Sequence, residues 1–505
     1  MKSPRFVHFH KPVREETLFL FLTFPVKHYL LSLCYNRYRE VCFMNLTLLH
    51  ISVIAAVVFF VIGAGFYTAR KVSSAAGYSL GGRSSSAPFV AGSIAGTVVG
   101  GGATVGTAQM AYSSGLSAWW FTLGSGIAFI IMGLFYARRL RMTGLETIPE
   151  FLSLQYGKKA EILSSVISSV GILLSAVASC LPGIEIISSL FHISPVMSAV
   201  ILTLLVILYT FFGGMKSAAV GGLLKMGIIW ISLFIAGWYA FSFLETSQSW
   251  NSFPPDYFSL RGSSWGLSLS QLGSVVIGIL CTQTYIQCIF SAATPVTATT
   301  GCFIAALIVI PVGLPSIAVG MSMQILDEAV PPILVLPAFL AGHVPPLVGG
   351  LALGGIILSL LGSIGGLSLG IGTMISRDIL TPLFSIKDDT EQLRLTRITV
   401  LSVLLISSAL AILYRGSQVL FWNYLSMGLR GGGIFLPMTL AVFFPGHLEK
   451  KWALISMGAS TAAALVAAFL PLSLNPLFTG LFTAFIFLLP GLHRKKQSHV
   501  SRETK

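Results

Sequence analysis

Three ionisable residues, Glu185, Lys225 and Arg430, stand inside otherwise apolar runs of this 505-residue chain. A charge at membrane depth costs several kcal/mol unless it is paired or solvated, so such residues mark ion paths, solute sites or structural pairs. Arg430, in "SMGLRGGGIF", carries a planar fork that can hold a carboxylate through two parallel hydrogen bonds. It could equally snorkel, or pair with Glu185 and fix its own helix. Lys225 falls near one end of the apolar run 220–244, where its four-carbon stem is expected to snorkel toward a membrane face. The sharper reading is that its ammonium stands in for a metal cation, or that it carries a coupled proton, since lysine titrates readily when buried. Glu185, in "CLPGIEIISSLFHISP", is the other proton-carrier candidate and is expected to be solvated near the outer surface. Gln283 and Gln287 lie one helical turn apart and need partners, either a solute or neighbouring helices.

These groups suit recognition rather than covalent chemistry. The sequence contains no HExxH, GxSxG or paired-aspartate motif, so no enzyme is expected. The six cysteines (34, 42, 180, 281, 288, 302) form no CxxC pair and read as small apolar filler. Glu146 and Glu150, in "ETIPEFL", read as solvated loop acids.

The elements that position these groups are membrane helices. The chain is 54% hydrophobic and 10% charged, where a soluble chain carries about 25% charged residues. It offers about thirteen apolar runs long enough to span a bilayer, at roughly 20 residues each. In the second run, "GTVVGGGATVG" (96–106), three consecutive glycines would each cost about 1 kcal/mol relative to alanine in a helix. They predict an unwound segment, of the kind that lines a site in transporters; close helix crossing through small residues is the alternative. The net charge of +14 invites a nucleic-acid partner, but the basic residues gather in loops on one side, as the positive-inside rule requires. A multi-pass plasma-membrane protein follows, its amino terminus outside and its basic tail, 492–505, inside. Residues 1–43 break that pattern; translation from Met44 is expected, with 1–43 a non-native extension. The Pro-rich run 327–346 reads as a surface helix, a lid or a plain loop.

Five segments in order resemble the sodium:solute symporter family: "GGRSSSAPFVAGSIAGTVVGGGATVGTAQMAYSSGLSAWWFTLG" (81–124), "RRLRMTGLETIPEFLSLQYG" (138–157), "YTFFGGMKS" (209–217), "YIQCIFSAATPVTATTG" (285–301) and "SIGGLSLGIGTMISRDI" (363–379). The resemblance implies an all-α polytopic fold with the leucine-transporter type of five-plus-five inverted repeat. A first helix and loop at 44–87 would precede repeats at 88–244 and 268–445, separated by an extracellular loop at 245–267. Two further helices would occupy 446–491. The resemblance also implies a cation site, for sodium, at Gly96, Val99, Ser359, Gly362 and Ser363; the solute cavity beside it is expected to be lined by Gly100, Gly101, Gly102, Ala103, Gln283, Gln287 and Arg430.

Two departures weaken the expected sodium site. Where family members commonly show two adjacent hydroxyls, this chain has Gly362-Ser363. After "GGM", where the family reads toward a Thr-Asp pair, it has Gly221, Gly222 and Lys225. A positive group raises the potential that an acid would have lowered. The expected function is therefore cation-coupled symport of a small organic solute, a carboxylate by virtue of Arg430. The alternative is a sodium-independent or proton-coupled carrier of the same fold. A membrane sensor is more remote, since no output domain follows residue 491. Partners are the solute and the bilayer, no cofactor beyond sodium is expected, and a monomer suffices.

Overall fold

The computed structural model describes residues 46–69, 75–211, 214–247, 251, 253–326, 330–469 and 475–492. The expected extension 1–43 lies outside them, as does nearly all of the basic tail. The described chain is helical. The helices used below are α1 (Leu48–Ala69), α2 (Ala87–Val98), α3 (Thr107–Ser114), α4 (Trp120–Ile131), α5 (Ile148–Tyr156), α6 (Lys158–Phe191), α7 (Pro195–Val206), α8 (Gly214–Thr246), α9 (Trp265–Leu280) and α10 (Gln283–Ser291). They continue with α11 (Pro295–Leu326), α12 (Val335–Gly342), α13 (Pro346–Met374), α14 (Asp389–Leu413), α15 (Val419–Phe443), α16 (Lys450–Phe469) and α17 (Pro476–Leu488). Among the described residues, eight helices are long and apolar enough to cross a membrane, nine if a bent pair counts as one.

The glycine triplet breaks its helix. α2 ends at Val98, Val99 turns away at φ −78° and ψ 77°, and the chain re-enters a helix through a wide turn at Gly102–Gly106 before α3. None of the three glycines has a positive φ; what they supply is room. A Cβ on Gly100 would collide with the Ser363 hydroxyl. On Gly101 it would lie 2.9 Å from Pro182 of α6, and on Gly102 2.7 Å from the Asn423 amide of α15. The broken segment is thus wedged between α6, α13 and α15. A second helix is also interrupted: α9 and α10 meet at 44°.

Gly431 to Gly433 behave otherwise. α15 runs unbroken through them, although three successive glycines beside Arg430 make a poor helix by propensity. They admit neighbours instead: a Cβ on Gly432 would lie 3.1 Å from the Gly480 Cα, and one on Gly431 2.7 Å from Leu477, both on α17. The 327–346 run contributes α12, whose Val335, Leu336, Phe339 and Leu340 are buried. It is packed into the bundle as part of the core.

Ion pairs lie toward both ends. At the basic end, Glu146 is buried and pairs with Arg377 and, at 3.6 Å, with Arg83, while Arg377 also reaches Glu150 at 3.4 Å. Glu146 is therefore a buried bridge between the segment before α2, the α5 loop and the end of α13, and not the solvated acid its loop position suggested. At the opposite end Arg415 holds Glu185 through Nε at 2.7 Å and Nη2 at 3.1 Å.

Candidate solute site and cation crossing

α13 crosses the end of α2 where that helix breaks. Repeated glycines in both helices bring backbone against side chain there. The Ser359 hydroxyl donates to the Val99 carbonyl, and the Ser363 hydroxyl to the Thr97 carbonyl. Gly362 faces the Gly96 carbonyl: a Cβ built on it would lie 3.2 Å from that oxygen. Gly96, Val99, Ser359, Gly362 and Ser363 are therefore brought together.

A sixth participant stands among them. Lys225 is fully buried, and its Nζ donates to the Val99 carbonyl at 3.3 Å and to the Ser359 carbonyl at 3.1 Å. This corrects the snorkelling expectation. α8 begins at Gly214, so Lys225 lies eleven residues in, about 16 Å along the axis at 1.5 Å per residue. α8 also approaches α2 closely, because a Cβ on Gly96 would sit 2.8 Å from the Gly222 Cα and one on Gly222 would strike the Gly92 carbonyl.

Beside the crossing lies a small cavity of about 20 Å³, room for on the order of one water. Gly100, Gly102 and Ser363 line it from the break and α13, Ser175 and Ser179 from α6, and Asn423 and Arg430 from α15. Arg430 is buried, and Gly171 makes space for its stem, since a Cβ there would lie 2.9 Å from the Arg430 Cδ. Its Nε donates to the Ser426 carbonyl at 3.2 Å and its Nη2 to the Ser175 hydroxyl at 3.5 Å. Nη1 is buried with no hydrogen-bond partner among the described residues. Glu185 does not serve it, being held by Arg415. That pair also corrects the expectation of a solvated Glu185: the residue is buried, and its carboxylate is already engaged.

Not every expected lining residue reaches the cavity. Gly101 and Ala103 are packed behind it and are not among the residues that line it. Gln283 accepts from the Ile148 amide at 2.8 Å and donates to the Glu146 carbonyl at 3.0 Å. Gln287 donates to the Ser79 carbonyl at 2.6 Å and to Thr373 at 3.2 Å. Both fasten α10 to the basic-end segments rather than facing the cavity, because the bend after α9 turns that helix toward the α5 loop. Conversely, Ser175 and Ser179 were missed, although serines four apart in an apolar helix share a face. Asn423, Met427 and Arg430, at spacings of four and three, also line the cavity from one stripe of α15.

The sodium:solute symporter family matches residues 78–459. The chain belongs to that family. A sodium/proline symporter of Staphylococcus aureus (strain USA300) is 25% identical over 455 residues, 85% of this chain and 87% of that protein. An uncharacterized symporter, YidK, of Escherichia coli (strain K12) is 30% identical over 156 residues, which span 28% of this chain and only 27% of that relative's length. Among solved structures, a Na+-coupled sialic acid symporter superposes with a TM-score of 0.76 at 19% identity, covering 88% of this chain and 97% of that one. The fold is of the leucine-transporter type, and the family and its neighbours are transporters, not enzymes. Together they support sodium-coupled symport of a small solute as the class of this membrane protein.

Family membership implies sodium at the crossing, and the donors there, carbonyl and hydroxyl oxygens, suit a hard cation. In this chain two of the carbonyls already accept from the Lys225 ammonium. With Lys225 protonated, a sodium ion 4 Å from its Nζ would be repelled by about 4 kcal/mol at an effective dielectric constant of 20. The crossing as built fits the ammonium and does not fit an added sodium ion.

Proposed function

We propose that this chain carries a small organic anion, a carboxylate, across the plasma membrane by alternating access around the cavity beside the α2 break, with the basic end cytoplasmic. The observation that carries the reading is Arg430 Nη1, buried at the cavity without a hydrogen-bond partner among the described residues. A carboxylate would give this cation the acceptor that the protein withholds, and Ser175, Ser179 and Asn423 supply neutral hydrogen bonds around it. Among the described residues no acid lines the cavity, so a cationic solute would meet an uncompensated positive charge. Two of the relatives named above are symporters of proline and of sialic acid; both solutes bear a carboxylate, proline as a net-neutral zwitterion, so they support the carboxylate group rather than a net negative charge.

The cavity is too small for such a solute in this conformation, and an ion pair lies toward each end of the bundle. Binding therefore requires one end to open, as alternating access demands. The oxygen-lined crossing that adjoins the cavity through Ser363 would couple cation to solute in a symporter. A sodium-independent carrier is the second reading, favoured by the position of Lys225 Nζ.

Small carboxylates paired with their uncharged amides test the proposal on purified protein, by thermal shift and by equilibrium binding. The acids are expected to stabilise and the amides not. Arg430→Lys should weaken binding by roughly ten- to hundredfold, the worth of a hydrogen bond to a charged group, while Arg430→Met should abolish it. Equal binding of acid and amide would overturn the anion reading.

A further inference from the structure

We propose that Lys225 is a tethered cation that permanently takes the place of sodium at the α2–α13 crossing, so that this chain binds and carries its solute without sodium at that site. The inference rests on the crossing being the coupling site, and it is independent of which solute enters the cavity.

The ammonium bonds to one carbonyl on each side of the crossing, Val99 on the broken helix and Ser359 on α13, at 3.3 and 3.1 Å. A bound cation would link the same two elements. Lys225 adds a third, α8, and it does so covalently, so the link is present whatever the salt.

The residues that depart from the family pattern form one compensated set. A Cβ on Gly362 would lie 2.6 Å from Lys225 Nζ, with backbone at 3.2 Å on its other side. The hydroxyl residue that family members commonly carry there therefore cannot coexist with this lysine unless the ammonium moves. Gly222 lets α8 come near enough for the stem to reach. An isolated loss of a sodium ligand would leave carbonyls without a cation; here the loss and the replacement occupy the same few ångströms. Tethering also changes the energetics. A sodium ion that enters on one side and leaves on the other brings free energy from its gradient, whereas Lys225 returns with the empty carrier and brings none. Transport by this chain follows the solute's own gradient and the membrane potential.

The test measures the thermal stability of the purified full chain across a sodium series at constant ionic strength, with choline as the replacement and no solute present. The set comprises the wild type, Lys225→Ala and Lys225→Ala/Gly362→Ser. The wild type should show no sodium-specific shift. Lys225→Ala should gain a rise in Tm that grows with sodium concentration, as expected for a ligand that binds only the folded state. The double variant, which regains a hydroxyl, should respond at lower sodium. A sodium-specific rise in the wild type overturns the proposal even if neither variant can be purified. Absence of any sodium response in folded Lys225→Ala and in the double variant overturns it as well, because the crossing would then be no cation site. Since no solute is added, neither result bears on Arg430.

Discussion

Lys225 and Gly362 show how much one side chain decides. With a Cβ at position 362 placed 2.6 Å from the ammonium, Gly362→Ser overpacks the crossing. Such insertions cost about 1–3 kcal/mol. Gly362→Ser alone should lower the Tm by several degrees, yet cost little when introduced into Lys225→Ala. Thermal unfolding of the four corners of that cycle measures the coupling, and equal losses in both backgrounds would show that the ammonium is not the obstacle. The sequence reveals both departures but not their contact, since 137 residues separate them. It also misplaces Lys225 in depth, because an apolar run marks where a helix is greasy, not where it starts. The six residues from Gly214 that precede the run place the lysine three turns into its helix, buried among its neighbours rather than at a helix end. Arg430 is legible as a buried cation; that Glu185 is spoken for by Arg415, 230 positions away, is not. Only the packing of α6 against the turn before α15 decides it.

At the scale of elements, the break in α2 is readable because three successive glycines are a poor helix, whatever surrounds them. Its cause is less readable. The glycines keep negative φ and serve close approach, a property of the neighbours α6, α13 and α15. Gly431 to Gly433 look the same on paper and leave α15 unbroken; their nearest neighbours are α17 at Gly431 and Gly432, and α16 and α6 at Gly433. The bend after α9 likewise decides the fate of Gln283 and Gln287, turning two expected solute contacts into fasteners of α10. These fasteners belong to the basic-end closure, with Glu146 at its centre bridging Arg377 and Arg83. Glu146→Gln removes the shared counter-charge while keeping the shape. For half-buried pairs the loss is on the order of 1–2 kcal/mol, enough to shift an open–closed equilibrium by roughly five- to thirtyfold. A cysteine introduced at Leu367, on the cavity wall, should then react faster with a membrane-impermeant thiol reagent added from the basic side. Unchanged labelling would mean that the ion pairs hold the fold and not the gate.

Across the whole molecule, the charges at membrane depth do not balance. Lys225 and Arg430 are buried cations near the centre, and the buried acid Glu185 is neutralised by Arg415 at one end. An anionic solute is the missing partner, and it is the one charge in this inventory that crosses and stays across. Because Lys225 travels back with the empty carrier, one turn of the cycle moves the solute's charge alone. A symporter carrying one sodium together with one monovalent anion would move none. The two schemes diverge under voltage, since a unit charge gains about 2.3 kcal/mol per 100 mV, an accumulation of roughly fiftyfold at equilibrium. In proteoliposomes holding a potassium diffusion potential, interior-positive vesicles should concentrate a carboxylate that the wild type binds, and interior-negative ones should exclude it, with choline in place of sodium throughout. Reversing the potential should reverse the direction of net flux. A flux that ignores the potential and follows an imposed sodium gradient instead would return this chain to the ion coupling of its family and leave Lys225 as a structural strut.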